Sequence, residues 1–336
     1  SNVVIGTYAG DGFGTNAVDG TVLIGREAGS EIQNSTASYT VAIGKLAASS
    51  LTSGAGNTAI GYAAMKVHLD GNRNTAIGNS AMDDTNAGGS SDSSNDNVFI
   101  GYESGSGTWA DAASEGNVSI GNYTMDSALN GANSNTVVGH NAGTNMTNGD
   151  SNVLVGNTSG ETLQTGHRNV VIGAGANVDT TGREQCIIIG YGLSLNTASD
   201  NVVEIGNDTN SMTYDLDGGD ITVTSDVRTK KDIEDTKIGL EFINKLRPIT
   251  YKTKPSSEFP EEFGVENPTD KATDRVWDGL ISQEVKTVMD ELDVGFSGWE
   301  EGVNTKQRLA YSKFVMPLIK AVQELSAKVK ALEDAQ

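Results

Sequence analysis

The first 224 residues of this 336-residue chain contain no proline: all five, Pro248, Pro255, Pro260, Pro268 and Pro317, lie further on. Cysteine is nearly absent too. Cys186 stands alone, so no intrachain disulfide can form and no redox compartment follows from it. Basic residues are scarce where proline is missing. Up to Thr224 there are 6 Lys+Arg against 23 Asp+Glu, and beyond it 17 against 21, so the net charge of −21 divides as −17 and −4. A surface this acidic repels nucleic acid and anionic bilayers, which argues against either as a partner, and its plainest effect is to keep a long surface in solution. No apolar run is long enough to span a membrane, and no signal peptide opens the chain. The sequence starts inside a repeat, at Ser1, Asn2, Val3, Val4, Ile5 and Gly6, and is expected to extend upstream.

What the first part has is glycine, 35 of the 41, and one recurring phrase. It reads NVVIG at Asn2, NTAIG at Asn57 and Asn74, NVFIG at Asn97, NVSIG at Asn117, NTVVG at Asn135, NVLVG at Asn152 and NVVIG at Asn169. Thr21, Thr40 and Cys186 open variants, and NVVEIG at Asn201 has one extra residue. The closing glycines, from Gly6 to Gly206, are spaced 16 to 23 residues apart, most often 17. A fixed short period predicts a solenoid, one coil per phrase.

Each phrase is a short β-branched strand bounded by turn residues. Alternation places Val3, Ile5, Val22, Ile24, Val41 and Ile43 on one face and Val4, Leu23, Ala42, Ala59, Ala76, Phe99 and Leu154 on the other. Both faces are apolar. A single-chain solenoid needs one dry face, so the second predicts packing around an oligomer axis. The Asn and Thr that open the phrases are expected to form a hydrogen-bonded ladder, with Cys186 a neutral replacement. A small residue three positions after many of the glycines (Ala9, Ala28, Ala47, Ala64, Ala81, Ala142) suits a tight coil. The array resembles the head repeats of trimeric autotransporter adhesins, the YadA-like left-handed β-roll, which also occur in phage fibres. Twelve coils at about 4.8 Å give a rod on the order of 55 Å long.

The chemistry is expected where the array ends. Thr224 to Asp235 reads TSDVRTKKDIED and sets Ser225 five positions before Lys230. A serine hydroxyl is a poor nucleophile until a base takes its proton, and a neutral lysine amine can be that base. By spacing alone the pair is weak, since a turn serine and a surface lysine would look the same. The motif Ser-Asp-x-Arg-x-Lys, with LEFINKLRPITYK (Leu240 to Lys252), GLISQEV (Gly279 to Val285) and LAYSKFVMPLIKAVQELSAKVKALE (Leu309 to Glu333) in that order, resembles the intramolecular chaperone of phage tail fibres and endosialidase tailspikes. Related self-cleaving domains occur in some membrane-tethered eukaryotic transcription factors. The resemblance implies a domain that trimerises its fibre and then cuts itself off between Ser225 and Asp226, with Ser225 and Lys230 catalytic and Arg228 supporting. The lysine must be neutral to act; positive charge at Arg228 and Lys231, and loss of water on assembly, favour that form. Attack by a serine on its own carbonyl would close a four-membered ring, so attack across protomers or through an intermediate step is easier to accept.

Further along, the pattern predicts helices from about Thr236 to Leu246, burying Ile238, Phe242 and Leu246 and stopped by Pro248, and from about Leu280 to Leu292, burying Ile281, Val285, Val288 and Leu292. Pro255 to Asp274 reads as an acidic surface insertion. Tyr311, Val315, Leu318, Val322, Leu325, Val329 and Leu332 step by 4 and 3, the mark of a coiled coil. Valine at a with leucine at d leans towards a dimer, but both resembled families are trimeric. The expected domains are therefore the repeat array (1–206), a neck (207–224), the self-cleaving chaperone (225–308) and its trimeric coiled coil (309–336). The fold class is mainly β with an α+β end.

A few residues of the array could bear on binding. His68, His140 and His167 lie in different repeats, so hydrogen-bonded or solvated roles are expected and no metal or cofactor is implied. The Asp- and Gly-rich segments Asp11 to Gly14 and Asp217 to Asp220 do not repeat with the coil and read as turns. Trp109, Tyr102, Tyr123 and Tyr191 are candidates for carbohydrate stacking, against the plainer reading of ordinary loop aromatics. The expected partners are two more copies of the chain, a host-surface receptor such as a glycan, and upstream tail or baseplate proteins, with no nucleic acid and no membrane. The implied setting is a virion tail fibre assembled in the host cytoplasm. A bacterial trimeric adhesin is the alternative.

Overall fold

The structure, a computed structural model, describes residues 1–13, 18–33, 35–85, 90–195, 199–217, 220–223, 227, 230–261, 274–302 and 305–336. The chain forms two compact units, Ser1–Asp226 and Val227–Gln336.

The first unit is a solenoid. Its strands are β1 (Val3–Ile5), β2 (Val22–Ile24), β3 (Val41–Ile43), β4 (Thr58–Ile60), β5 (Thr75–Ile77), β6 (Val98–Ile100), β7 (Val118–Ile120), β8 (Thr136–Val138), β9 (Val153–Val155), β10 (Val170–Ile172), β11 (Ile187–Tyr191) and β12 (Val202–Asn207). They pair in sequence order and in parallel, so that Val22 lies beside Val41, Val41 beside Thr58, and Ile187 beside Val203. The segment read as a neck continues the same sheet. There β13 (Ser211–Asp215) and β14 (Asp220–Val223) add antiparallel strands, which ends the coiling.

Turn chemistry explains the regular coil. The glycine after each strand from Gly6 to Gly190 has φ between 133° and 155°, a conformation that side chains rarely adopt. A Cβ there would press into the carbonyl of the matching glycine one coil on, as Gly6 against Gly25 or Gly78 against Gly101. The glycines therefore stack as a column that admits no side chain.

The middle residue of each strand faces the core. Leu23, Ala42, Ala59, Ala76, Phe99, Val137, Leu154, Val171 and Ile188 are fully buried, together with Ser119. Sizes are matched across the coil. Small Ala59, Ala76 and Ser119 precede Met65, Met82 and Met125, each six residues later and fully buried, whereas large Leu23, Phe99 and Leu154 precede Gly29, Gly105 and Gly160. In these coils a large strand residue stands beside a bare turn and a small one beside a large turn residue, as close packing requires. The predicted small residues lie there too, with Ala28, Ala47, Ala64, Ala81 and Ala142 buried.

Polar order runs alongside. Seven asparagines, Asn57, Asn74, Asn97, Asn117, Asn135, Asn152 and Asn169, are buried in a column. From Asn74 to Cys186, each backbone N–H donates to the Oδ1 of the preceding asparagine at 2.9–3.1 Å. Each Nδ2 also donates to a main-chain carbonyl, as from Asn152 to Gly166 at 2.9 Å. Such pairing removes the penalty of burying an amide. Cys186 ends the column: its N–H donates to Asn169 Oδ1, and it has no amide oxygen to offer the next coil. At the other end the column is interrupted: Thr21 Oγ1 is buried without a partner among the described residues, and Thr40 Oγ1 donates to its own turn at Ala37.

The second unit is small and α+β. It holds helices α1 (Leu240–Lys245), α2 (Ser282–Leu292) and α3 (Val315–Glu333), and two antiparallel pairs: β15 (Ile249–Tyr251) with β16 (Trp277–Gly279), and β17 (Trp299–Glu301) with β18 (Gln307–Leu309). Ile238, Phe242, Val285, Val288, Met289, Phe296 and Phe314 form its core. The helix expected from Thr236 begins only at Leu240, because Gly239 turns the chain and the Glu324 carboxylate accepts the Leu240 N–H at 2.8 Å. The helix expected from Leu280 begins at Ser282 and buries Met289 in addition to Val285 and Val288.

Candidate functional site

Two surfaces bear on function, one on each unit. On the solenoid, the first and third residues of each strand point outward. They are valine, isoleucine or threonine on eleven successive strands, and they remain partly open: Ile120 is 39% exposed, Ile172 and Ile189 37%. Parallel sheets are normally covered on both faces. This one, in a single chain, is covered on one.

On the second unit, α3 presents Val315, Leu318, Val322, Leu325, Val329 and Leu332 to solvent, each between 46% and 68% exposed. Another face of α3 is already in use, with Ala321 buried and Glu324 capping α1. Beside the exposed stripe, Ile243, Leu246, Pro248, Leu280, Tyr311, Phe314 and Leu318 line an open apolar groove. Tyr311 is fixed there by the Leu280 N–H, which donates to its hydroxyl at 2.9 Å. Under the groove, Phe242, Phe296 and Phe314 pack ring on ring with centroids 4.6–6.5 Å apart. Exposed ion pairs, Arg247 with Glu284 and Lys245 with Glu291, tie α1 to α2 and add little stability in water.

Of the residues expected to carry the chemistry, Lys230 is exposed, and its N–H donates to the Val227 carbonyl at 3.1 Å. Ser225, Asp226 and Arg228 lie outside the described residues, as do residues 262–273 of the expected insertion. Lys231 pairs loosely with Asp232 at 3.8 Å, both exposed.

The aromatic candidates divide. Trp109 is fully buried, a correction to its reading as an exposed loop residue: it packs on Phe99 at 5.5 Å, and its Nε1–H donates to the Gly105 carbonyl. Tyr102 and Tyr191 are exposed, 40% and 70%, and Tyr123 is half-buried. His68 is buried between Asn74 and Thr85, and His167 accepts the Asp150 N–H at Nδ1. Among the described residues no group of three His, Cys, Asp or Glu side chains could hold a metal ion, and no helix is long and apolar enough to cross a membrane.

Sequence reasoning missed a second polar ladder. The Ala55 N–H donates to Asn72 Oδ1 and the Asn72 N–H to Asn95 Oδ1. Further on, the Glu115 N–H donates to Asn133 Oδ1, the Asn133 N–H to Asp150 Oδ1, and the Asp150 N–H to His167. It runs opposite to the buried column, each coil donating to the next. Its signal was present: a side chain able to accept a hydrogen bond stands two positions before each phrase from Asn74 to Asn169.

No curated protein and no solved structure matches the chain. Residues 225–294 match one family, the chaperone of endosialidase. The match opens at the Ser-Asp-x-Arg-x-Lys motif and runs through α1 and α2, so the C-terminal unit carries an endosialidase-type chaperone domain, joined in one chain to a β-solenoid.

Proposed function

We propose that the chain is the distal part of a homotrimeric phage tail fibre or tailspike that attaches to a host surface, and that its chaperone directs trimer folding and then cuts itself off. The chaperone family implies homotrimer assembly. The observation that carries the reading is the outward row of the solenoid, mostly valine and isoleucine with a few threonines, and only partly covered. Three such faces turned to one axis would supply the missing cover, and the exposed α3 stripe would pair in the same threefold arrangement. The array stiffens and displays; the chaperone assembles.

In this reading the Ser225 hydroxyl attacks the carbonyl of a Ser225–Asp226 bond while Lys230 accepts its proton, the proton passes to the Asp226 amine as that bond breaks, and water then hydrolyses the ester to free both fragments. That cut falls within one residue of the boundary between the two compact units. Because the lysine must shed its proton, the reaction would wait for assembly to exclude water. Cleavage would then report correct trimerisation.

Light scattering tests the central claim. The full chain, and the Ser1–Ser225 fragment released from it after folding, should both show a three-chain mass. A one-chain mass for the fragment would overturn the trimeric reading of the array.

A further inference from the structure

No lysine or arginine occurs between Arg73 and Arg168, a stretch that contains ten acidic residues. Within it lies the one run of aromatic rings on successive coils that is open to solvent among the described residues. Tyr102 follows Gly101, Tyr123 stands two positions after Gly121, and His140 follows Gly139. Tyr102 and Tyr123 meet at 5.3 Å and 71°, Tyr123 and His140 at 5.8 Å and 79°. The other aromatic pair of the array, Phe99 with Trp109, is buried.

We propose that Tyr102, Tyr123 and His140 form a platform for a neutral polysaccharide, one ring per coil. The inference rests on the reading of the array as a surface-attachment rod and names what part of it binds. Edge-to-face packing holds each ring in place before a ligand arrives, so little side-chain entropy is lost on binding. Exposed ring surface suits the apolar C–H face of a pyranose. Hydroxyls need polar partners, and these stand beside the rings. The Glu103 carboxylate beside Tyr102 raises the pKa of its hydroxyl above the ordinary range, so the phenol stays neutral and keeps its proton. The exposed Asn122 accepts the Tyr102 N–H at Oδ1 and keeps its Nδ2 donors for solvent or ligand, and Asn157 Nδ2 lies 3.5 Å from His140 Nδ1. Charge decides between sugars. Lys66 is a nearby cation, but it shares a pocket with Asp83, Asp84 and Glu103, so the local charge is net negative and sialylated or uronate-rich polymers are repelled while neutral ones are not.

The test uses the full-length trimer on immobilised neutral polymers (a glucan, a mannan and a galactan) and acidic ones (hyaluronate and polysialate). At least one neutral polymer should retain the protein and neither acidic polymer should. Tyr102→Ala and Tyr123→Asn should each weaken retention at least tenfold while keeping the three-chain mass and the melting temperature. Asparagine tolerates the left-handed backbone that Tyr123 adopts at φ 58°. Tyr102→Phe keeps the ring but loses its hydroxyl donor and should bind more tightly than Tyr102→Ala and more weakly than the parent, whereas Tyr191→Ala, outside the platform, should change nothing. The proposal is overturned if no neutral polymer is retained, if acidic polymers are retained as well, or if Tyr102→Ala and Tyr123→Asn bind like the parent. Loss of the trimer in those variants would also overturn it, by placing the rings in a protein interface. Adsorption to host cells, measured in parallel, separates the two readings: undiminished adsorption by both variants leaves attachment standing without the platform, and no adsorption by the parent removes attachment itself.

Discussion

Phe99 and Gly105 occupy one place in the core of the solenoid: a Cβ on Gly105 would stand 2.5 Å from the Phe99 ring. The ring fits because the turn beside it has no side chain. One coil earlier the arrangement is reversed, with Ala76 on the strand and Met82 in the turn, both fully buried.

Gly105→Ala should therefore destabilise the array by about 1–3 kcal/mol, the usual cost of overpacking. Phe99→Ala should cost about 3–5 kcal/mol by leaving a cavity. Adding Gly105→Met to Phe99→Ala copies the Ala76 and Met82 pair and should recover part of that loss. Chemical denaturation of the parent, Phe99→Ala, Gly105→Met and the double variant measures the coupling. Simple additivity would show that the two sites do not share volume.

Asn152 stands in mid-column. It donates to Asn135 and to the Gly166 carbonyl, and its Oδ1 receives both the backbone N–H and the Nδ2 of Asn169. Asn152→Leu leaves the Gly166 carbonyl and the Asn169 N–H without the partner each has now, and should lower stability by about 1–3 kcal/mol per chain. Cys186→Thr should be nearly neutral, since Thr21 and Thr40 hold the same position in other coils. A melting transition unmoved by the first change would show that the ladder is not structural.

Burial lowers the His68 pKa from 6.5 to about 4, opposed weakly by the Gly71 backbone and by Asp70. Asn74 Nδ2 donates to its Nε2, so the neutral ring carries its proton on Nδ1, towards Thr85. The unfolded chain takes up a proton below pH 6.5 that the folded chain refuses until about pH 4. Stability should be full above pH 6.5 and fall between 6.5 and 4, by about 3 kcal/mol at the lower end. His68→Leu, the residue type at Leu51 in the coil before, should flatten that slope in denaturation series across pH. Asp83 and Asp126, whose pKa values burial raises, contribute with opposite sign and equally in both proteins.

Freshly expressed chain should convert to fragments of residues 1–225 and 226–336, with first-order kinetics independent of concentration once trimers exist. Ser225→Ala and Lys230→Ala should each abolish the cut and leave trimers. Lys230→Arg should fail as well, because a guanidinium stays protonated. Mixed trimers of Ser225→Ala and Lys230→Ala chains would regain cleavage only if the pair acts across protomers. Intact mass spectrometry showing solely full-length parent chain after long incubation would refute the protease and leave a trimerising chaperone.

Most of the solenoid was legible because its information is periodic. The strands, the glycine column, the buried middle row and the asparagine ladder each recur every coil, so one correct reading of a phrase serves all of them. What escaped is not periodic. Trp109 looked like a loop residue because the coils around it run to 20 and more residues, and only the fold shows that the longer turn folds back onto Phe99. The start of α1 escaped because its cap, Glu324, lies 84 residues away. The chaperone was legible by motif and not by pattern: Ser225 and Lys230 alone look like a turn and a surface charge.

The buried asparagine column has a direction. Every member receives from the coil after it and gives nothing back through its oxygen, so between Asn57 and Asn169 the top of one coil offers the next the same acceptor. Removing residues 135–151 would bring Asn152 under Asn117 with the same hand-off and the same glycine stacking. Length is thus a variable of this architecture, adjustable in whole coils wherever both columns run unbroken, so that reach can change one coil at a time.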